Sequence, residues 1–202
     1  MSGMAKHVRS ESRSLIAAIL VLVPGCAAEA GAAREQLAGD PPAEAAQAAV
    51  SPAVSGRYRY AGGEPQRQQL LDAIEEVVAD MVFLARPIAR RRLRDGNLPS
   101  EELQIDVTGD KITIVRPGRP TVSAPRDGSP IVWKSPDGDE FKVRHILRGD
   151  REFTQEFVGD GNRSSNDFKL GDDGKSLVVH TTITADRLPR VLRFRMSYRR
   201  SG

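Results

Sequence analysis

The sequence predicts a mainly β domain, an antiparallel up-and-down β-barrel or strongly curled meander of about ten strands, with a long helix and a short helix inserted after the first strand. Three observations predict it. A short alternating segment opens the folded part, a single stretch with apolar residues at three-and-four spacing follows, and everything after Ser100 alternates between short runs punctuated by Gly and Asp turns. A meander of that length has to curl or close to hide its edges.

Ser55 to Tyr60 alternates small or charged residues with aromatics and is stopped by Ala61-Gly62-Gly63, which gives a first strand. From Pro65 to Ala85 the period changes to 3.6: Leu70, Leu71, Ile74, Val77, Val78, Met81, Val82 and Ala85 form one stripe of a helix. Pro87 interrupts it, and a second helical piece is expected from Ile88 to about Leu93. Leu103, Ile105 and Val107 then share a strand face, and Thr108 to Lys111 reads as a hairpin turn leading to Ile112 and Ile114. Further strands are expected at Val122–Ala124, Ile131–Lys134, Phe141–Leu147, Glu152–Val158, Asn166–Leu170, Leu177–Thr184 and Val191–Tyr198.

The N-terminus reads differently. Met1 to Ser14 is polar and carries Lys6, Arg9 and Arg13 against Glu11, Leu15 to Val23 is a run of nine apolar residues, and Pro24-Gly25-Cys26 follows. Nine helical residues cover about 14 Å, roughly half a hydrocarbon core, so the run is an export signal rather than a membrane span. Val23 to Cys26 resembles the lipobox of bacterial lipoproteins, in which the cysteine is acylated and becomes the new N-terminus. That resemblance implies a signal peptide over residues 1–25, lipid attachment at Cys26 and, with Ala27 next, retention in an outer membrane facing the periplasm. Ordinary cleavage after Ala28 or Ala30 is the alternative, since both offer a small-x-small pattern. Residues 26–55 are rich in Ala, Pro and Gly without an aromatic, which predicts a flexible tether ahead of a domain spanning 56–202.

The charge of +3 belongs largely to that leader. Without it, 27 basic and 26 acidic residues remain, far from the concentrated positive field that nucleic acid requires. Cys26 is the single cysteine, so no intramolecular disulfide forms.

The order of one strand, two helical pieces and about nine strands is similar to the calycins, and most to their fatty-acid-binding branch. Gly56-Arg57-Tyr58 resembles the calycin Gly-x-Trp opening, and Arg199 and Arg200 are placed like the basic residue that calycins pack across that aromatic. The resemblance implies a barrel that takes a hydrophobic or amphipathic small molecule. The branch's Arg-x-Tyr carboxylate clamp is absent from the last strand, because Arg195 and Tyr198 stand three apart and face opposite sides.

Strand parity assigns the interior polar groups. His145 shares a face with Phe141, Val143 and Leu147; Gln155 with Phe153 and Phe157; Asn166 with Phe168 and Leu170; Thr181 with Leu177, Val179 and Ile183; Tyr198 with Leu192, Phe194 and Met196. Apolar walls with a few convergent polar groups suit a small hydrophobic ligand, so His145, Gln155, Asn166, Thr181, Tyr198, Phe157 and Phe194 are the candidate lining of an internal cavity of a few hundred cubic ångströms. The same groups bonding one another inside a filled barrel is the alternative, with Leu70, Ile74, Val77, Met81 and Leu84 plugging the interior and no ligand.

No catalytic site is expected: His145 and His180 are the histidines beyond the leader, His180 has outward parity, and no Gly-x-Ser-x-Gly is present. Nor is a metal or cofactor expected. Two scattered histidines do not make a zinc site, and Asp137 to Glu140 and Asp172 to Gly174 read as turns rather than calcium loops. Arg86, Arg90, Arg91, Arg92 and Arg94 form a basic cluster around Pro87, either a solvated helix face or a surface for an anionic group.

Overall fold

The computed structural model describes residues 52–136 and 138–201. The leader, Cys26 and the tether as far as Ser51 lie outside the described residues, as does Asp137. Strand β1 (Gly56–Tyr60) leads into α1 (Gly63–Ala79), a single 3-10 turn (Phe83–Ala85) and α2 (Arg86–Asn97). Nine strands follow: β2 (Glu102–Thr108), β3 (Lys111–Val115), β4 (Val122–Pro125), β5 (Ile131–Lys134), β6 (Glu140–Leu147), β7 (Glu152–Gly159), β8 (Asn162–Leu170), β9 (Ser176–Ala185) and β10 (Leu192–Arg200).

All ten strands form one antiparallel sheet in the order β4-β3-β2-β1-β10-β9-β8-β7-β6-β5. Consecutive strands are neighbours from β1 to β4 and from β5 to β10, and β1 also pairs with β10, which curls the meander into a nearly closed barrel. The ladder is interrupted between β4 and β5. At one end the seam is sealed, because the Leu147 N–H donates to the Arg126 carbonyl (2.9 Å) and Asp127 bridges to Ile146. At the other end, next to the helices, it stays open.

The helices differ from expectation in their limits. The stripe that predicted one helix to Ala85 ends at Ala79, and Met81 and Val82 form a turn fixed by the Met81 carbonyl, which accepts from Arg86 Nε at 2.9 Å. Arg190 reinforces the turn by pairing with Glu76 (2.8 Å) and with Asp80. Pro87 therefore does not break a helix but starts one, in the first turn, where its missing N–H costs nothing. α2 runs on through Gly96.

Leu70, Ile74, Val77 and Val78 of α1 are buried in the core formed with Tyr58, Leu103, Ile105, Phe168, Leu177, Leu192 and Met196. The expected plug extends no further. Met81 is half-buried, and Leu84 is 81% exposed because the 3-10 turn swings it outward with Val82 and Phe83.

The end opposite the helices is closed by residues assigned from sequence to the tether. Val54 is fully buried, its N–H donates to the Asp150 carbonyl (2.9 Å), and Ser55 Oγ accepts from the Val107 N–H (3.0 Å). The packed domain thus begins at about Pro52, four residues before the first strand. β8 likewise starts earlier than expected, at Asn162. Its first half, Asn162 to Ser165, is polar on both faces because this part of the strand borders the open mouth, so hydrophobic alternation could not reveal it.

Candidate functional site

The interior polar residues fall into one row. His145, Gln155, Asn166, Thr181 and Phe194 stand directly opposite one another along β6, β7, β8, β9 and β10. Their side chains form a continuous hydrogen-bonded chain. Thr181 Oγ1 donates to Asn166 Oδ1 (2.8 Å), Asn166 Nδ2 donates to Gln155 Oε1 (3.4 Å), and Gln155 Nε2 reaches His145 Nε2 (3.0 Å). His145 Nδ1 ends the chain on the Ile112 carbonyl (2.9 Å), across the seam on β3.

Chemistry fixes the direction of this chain. An amide nitrogen only donates and a carbonyl only accepts, so His145 accepts at Nε2 and carries its proton on Nδ1. It is neutral. Burial holds its pKa well below the ordinary value, at about 4, against the opposing effect of the backbone bonds to Ile112 and Ala124; the charge of Arg116 lowers it further. Both ring nitrogens are occupied, so His145 is a tie across the seam from β6 to β3. Gln155, 1% exposed, supports it from the next strand.

The remaining predicted residues divide between two spaces. Asn166, Thr181, Phe194 and Tyr198 line a small pocket of about 60 Å³, whose other walls include Leu103, Phe168, Val179, Met196 and the segment from Gly96 to Ser100. Phe157 and Asn166 line an open cleft of about 1290 Å³ at the barrel mouth. The expected interior cavity of a few hundred cubic ångströms is not what forms. The deep barrel is filled by its own side chains, including the Phe153–Phe168 stack (4.4 Å between centroids), and the space lies at the mouth instead.

Trp133, Phe141 and Phe157 build the aromatic side of that mouth, with Trp133 and Phe157 edge-to-face at 5.7 Å. The opposite side is the segment from Gly96 to Ser100 at the C-terminal end of α2, held by Arg119, which donates to the carbonyls of Gly96 (2.6 Å), Leu98 (3.0 Å) and Asp95 (3.2 Å).

Between the two sides stands Arg116, which sequence reasoning missed. It follows Ile112 and Ile114 at alternate positions and so faces inward, but Pro117-Gly118 marks a turn immediately after it, and the parity was not extended that far. Arg116 lines both the small pocket and the cleft, and no carboxylate among the described residues pairs with it. Loss of solvent lowers its pKa, while the phenol of Tyr198 works in the opposite direction. Tyr198, buried, has its own pKa raised by that burial.

At the far end, the aromatic opening behaves as the family resemblance implies. Arg200 covers the Tyr58 ring at 5.1 Å from its centroid. The ten-stranded order with helices between β1 and β2 is the order expected from the sequence. No protein-family model matches the chain, and no curated protein matches it by sequence.

Among solved structures it is similar to a Schistosoma mansoni fatty acid binding protein in complex with arachidonic acid, at 15% identity and a TM-score of 0.45, over 74% of this chain and 97% of that one. A zebrafish ileal bile acid-binding protein complexed with cholic acid matches at 12% identity and a TM-score of 0.45, over 74% and 99%. A luciferase domain from the dinoflagellate Lingulodinium polyedrum matches at 13% identity and a TM-score of 0.46, over 72% of this chain and 41% of that one.

Proposed function

We propose that this chain is an exported envelope protein, anchored by lipid on Cys26 in the outer membrane and facing the periplasm, whose barrel binds a small hydrophobic or amphipathic molecule at its mouth. The observation that carries the binding reading is the cleft of about 1290 Å³, aromatic on the side of Trp133 and Phe157 and continuous in its lining with the small pocket through Arg116, Arg119 and Asn166. A ligand of this kind gains from burying apolar surface against the aromatic side while its polar end reaches the few hydrogen-bonding groups within. The role is binding rather than catalysis: the one interior histidine is neutral and spends both nitrogens on structure.

The anchoring reading rests on the leader, with its polar start, nine-residue apolar run and Cys26. The chain joins the barrel at Pro52, at the end opposite the mouth, so attachment from that side is compatible with an accessible cleft.

Two observations favour a second reading, an interaction module without a ligand. The small pocket holds only about 60 Å³, and Val82, Phe83, Leu84 and Ile88 form an exposed apolar tip on the helices. Displacement of a fluorescent long-chain fatty acid from the purified protein, with native mass spectrometry of the same sample, separates the two. Saturable one-to-one binding supports the first reading. Absence of binding, together with an envelope protein crosslinked through the tip, supports the second.

A further inference from the structure

Every side chain in the row from His145 to Thr181 both gives and takes hydrogen bonds, and each has its direction set by its neighbour. The Nδ1–H of His145 holds the Ile112 carbonyl, which leaves Nε2 as an acceptor while the ring is neutral. Gln155 then turns its NH2 toward His145 and its carbonyl toward Asn166. Asn166 turns its NH2 toward Gln155 and its carbonyl toward Thr181, and the Thr181 hydroxyl hydrogen is used up inside the row. The register sets these residues directly opposite one another on adjacent strands, so no interior member changes direction alone.

A second proton on the ring changes the requirement at one end only. The Ile112 bond survives, because an imidazolium still donates at Nδ1. Nε2 becomes a donor and meets the NH2 of Gln155, donor against donor, where both residues are buried and a lost bond is costly. A half-turn of the Gln155 amide removes the conflict and passes it to Asn166, and a half-turn of Asn166 passes it to Thr181. There it ends, since a hydroxyl accepts as well as it donates and its hydrogen swings off the row. We infer that the row is a two-state relay: protonation of His145 reverses the bonds from His145 through Gln155 and Asn166 to Thr181, and turns the Thr181 hydroxyl into a donor toward the pocket at the barrel mouth. Asn166 and Thr181 line that pocket, so the relay regulates the binding site and rests on the cleft reading above. A head group that only accepts gains a partner in acid that it lacks at neutral pH.

The other groups facing the row keep their charge in acid. Arg116, from the end of β3, stays protonated, and so does Tyr198, from β10, whose phenol is raised by burial. β4 brings Ala124 to the imidazole and β7 brings Phe153, with Phe168 of β8 stacked on it, and none of these titrates. Arg144, Glu156, Asp167 and His180 alternate onto the outer face of β6 to β9. Burial of His145 sets the conversion at about pH 4.

The test has a structural arm and a binding arm. In isotope-labelled protein the His145 ring and the side-chain amides of Gln155 and Asn166 are followed by NMR through the conversion, while the backbone signal of Tyr58 at the far end reports an intact fold. All three side chains should move with one midpoint, and both amides should stop titrating in His145→Gln. An Asn166 amide that stays fixed while His145 titrates overturns the relay. So do amides that still titrate in His145→Gln, and so does a His145 that stays neutral until the protein unfolds. In the binding arm, methyl dodecanoate, whose head only accepts, is compared with dodecanol, whose head does either. The ratio of ester to alcohol affinity should rise about fivefold from neutral pH to below the midpoint, the scale of one neutral hydrogen bond, and stay flat in Thr181→Val. An unchanged ratio with both probes bound overturns the regulation and leaves the cleft reading intact. Failure of both probes to bind at either pH overturns the cleft reading and the regulation with it. The wild-type measurements need no mutant, so a variant that fails to fold does not protect the claim.

Discussion

The Arg200 guanidinium lies 5.1 Å from the centroid of the Tyr58 ring and donates a 2.9 Å hydrogen bond to the hydroxyl of the same residue. It also donates to the carbonyls of Ser55 (2.8 Å), Gly174 (3.0 Å) and Ala53, while the Tyr58 hydroxyl donates to the Val54 carbonyl (2.7 Å). One side chain from the last strand thus ties down the segment before the first strand and the β8–β9 turn. Replacing it with leucine removes charge-assisted bonds to three backbone carbonyls, so Arg200→Leu should lower unfolding stability by about 2–3 kcal/mol in urea titration. Gly56→Ala should act on the same contact, since a Cβ there would stand 2.7 Å from Arg200 Nη1 at a backbone φ of +156°.

His145 should make stability depend on pH in a defined window. Its pKa of about 4 in the fold lies below the 6.5 of the unfolded chain, so the unfolded state binds the proton first as pH falls. Full stability is present above 6.5, declines by about 3 kcal/mol between 6.5 and 4, and receives no further loss from this group below 4. The lowered carboxylates Glu75, Asp127 and Glu156 act at more acidic pH and do not overlap much of that window. Urea midpoints measured across the window should fall for wild type and stay flat for His145→Gln.

Phe83 and Leu84, 76% and 81% exposed, contribute little to the core. Phe83→Ser and Leu84→Ser should each change unfolding stability by no more than about 0.5 kcal/mol, whereas Ile74→Ala, at a fully buried position, should cost about 2–5 kcal/mol. Thermal or urea unfolding of the three variants checks the division.

Much of this architecture was legible in the chain. Strand parity placed His145, Gln155, Asn166 and Thr181 on the interior face, and the register puts them opposite one another; what parity could not supply was the connectivity, which depends on side-chain reach across strands. The helix stripe identified Leu70, Ile74 and Val77 as core but ran past the true end of α1, because hydrophobic spacing is blind to the ion pairs of Arg190 and the bond from Arg86 that turn the chain at Met81. Arg116 was hidden by its type and position: a charged residue beside a Pro-Gly turn reads as surface, and only the curling of the sheet turns that side chain toward the barrel mouth.

Anchoring is checked chemically. Metabolic labelling with a fatty-acid analogue should mark the protein in cells and fail to mark Cys26→Ser, while cleavage after Ala28 or Ala30 would leave both unlabelled.

The central claim, a ligand held at the barrel mouth, is tested most directly by the emission of Trp133, the chain's single tryptophan and part of the cleft wall. Titration of the purified protein with dodecanoate should change that emission saturably with one-to-one stoichiometry. An unchanged Trp133 signal across the titration would contradict the account.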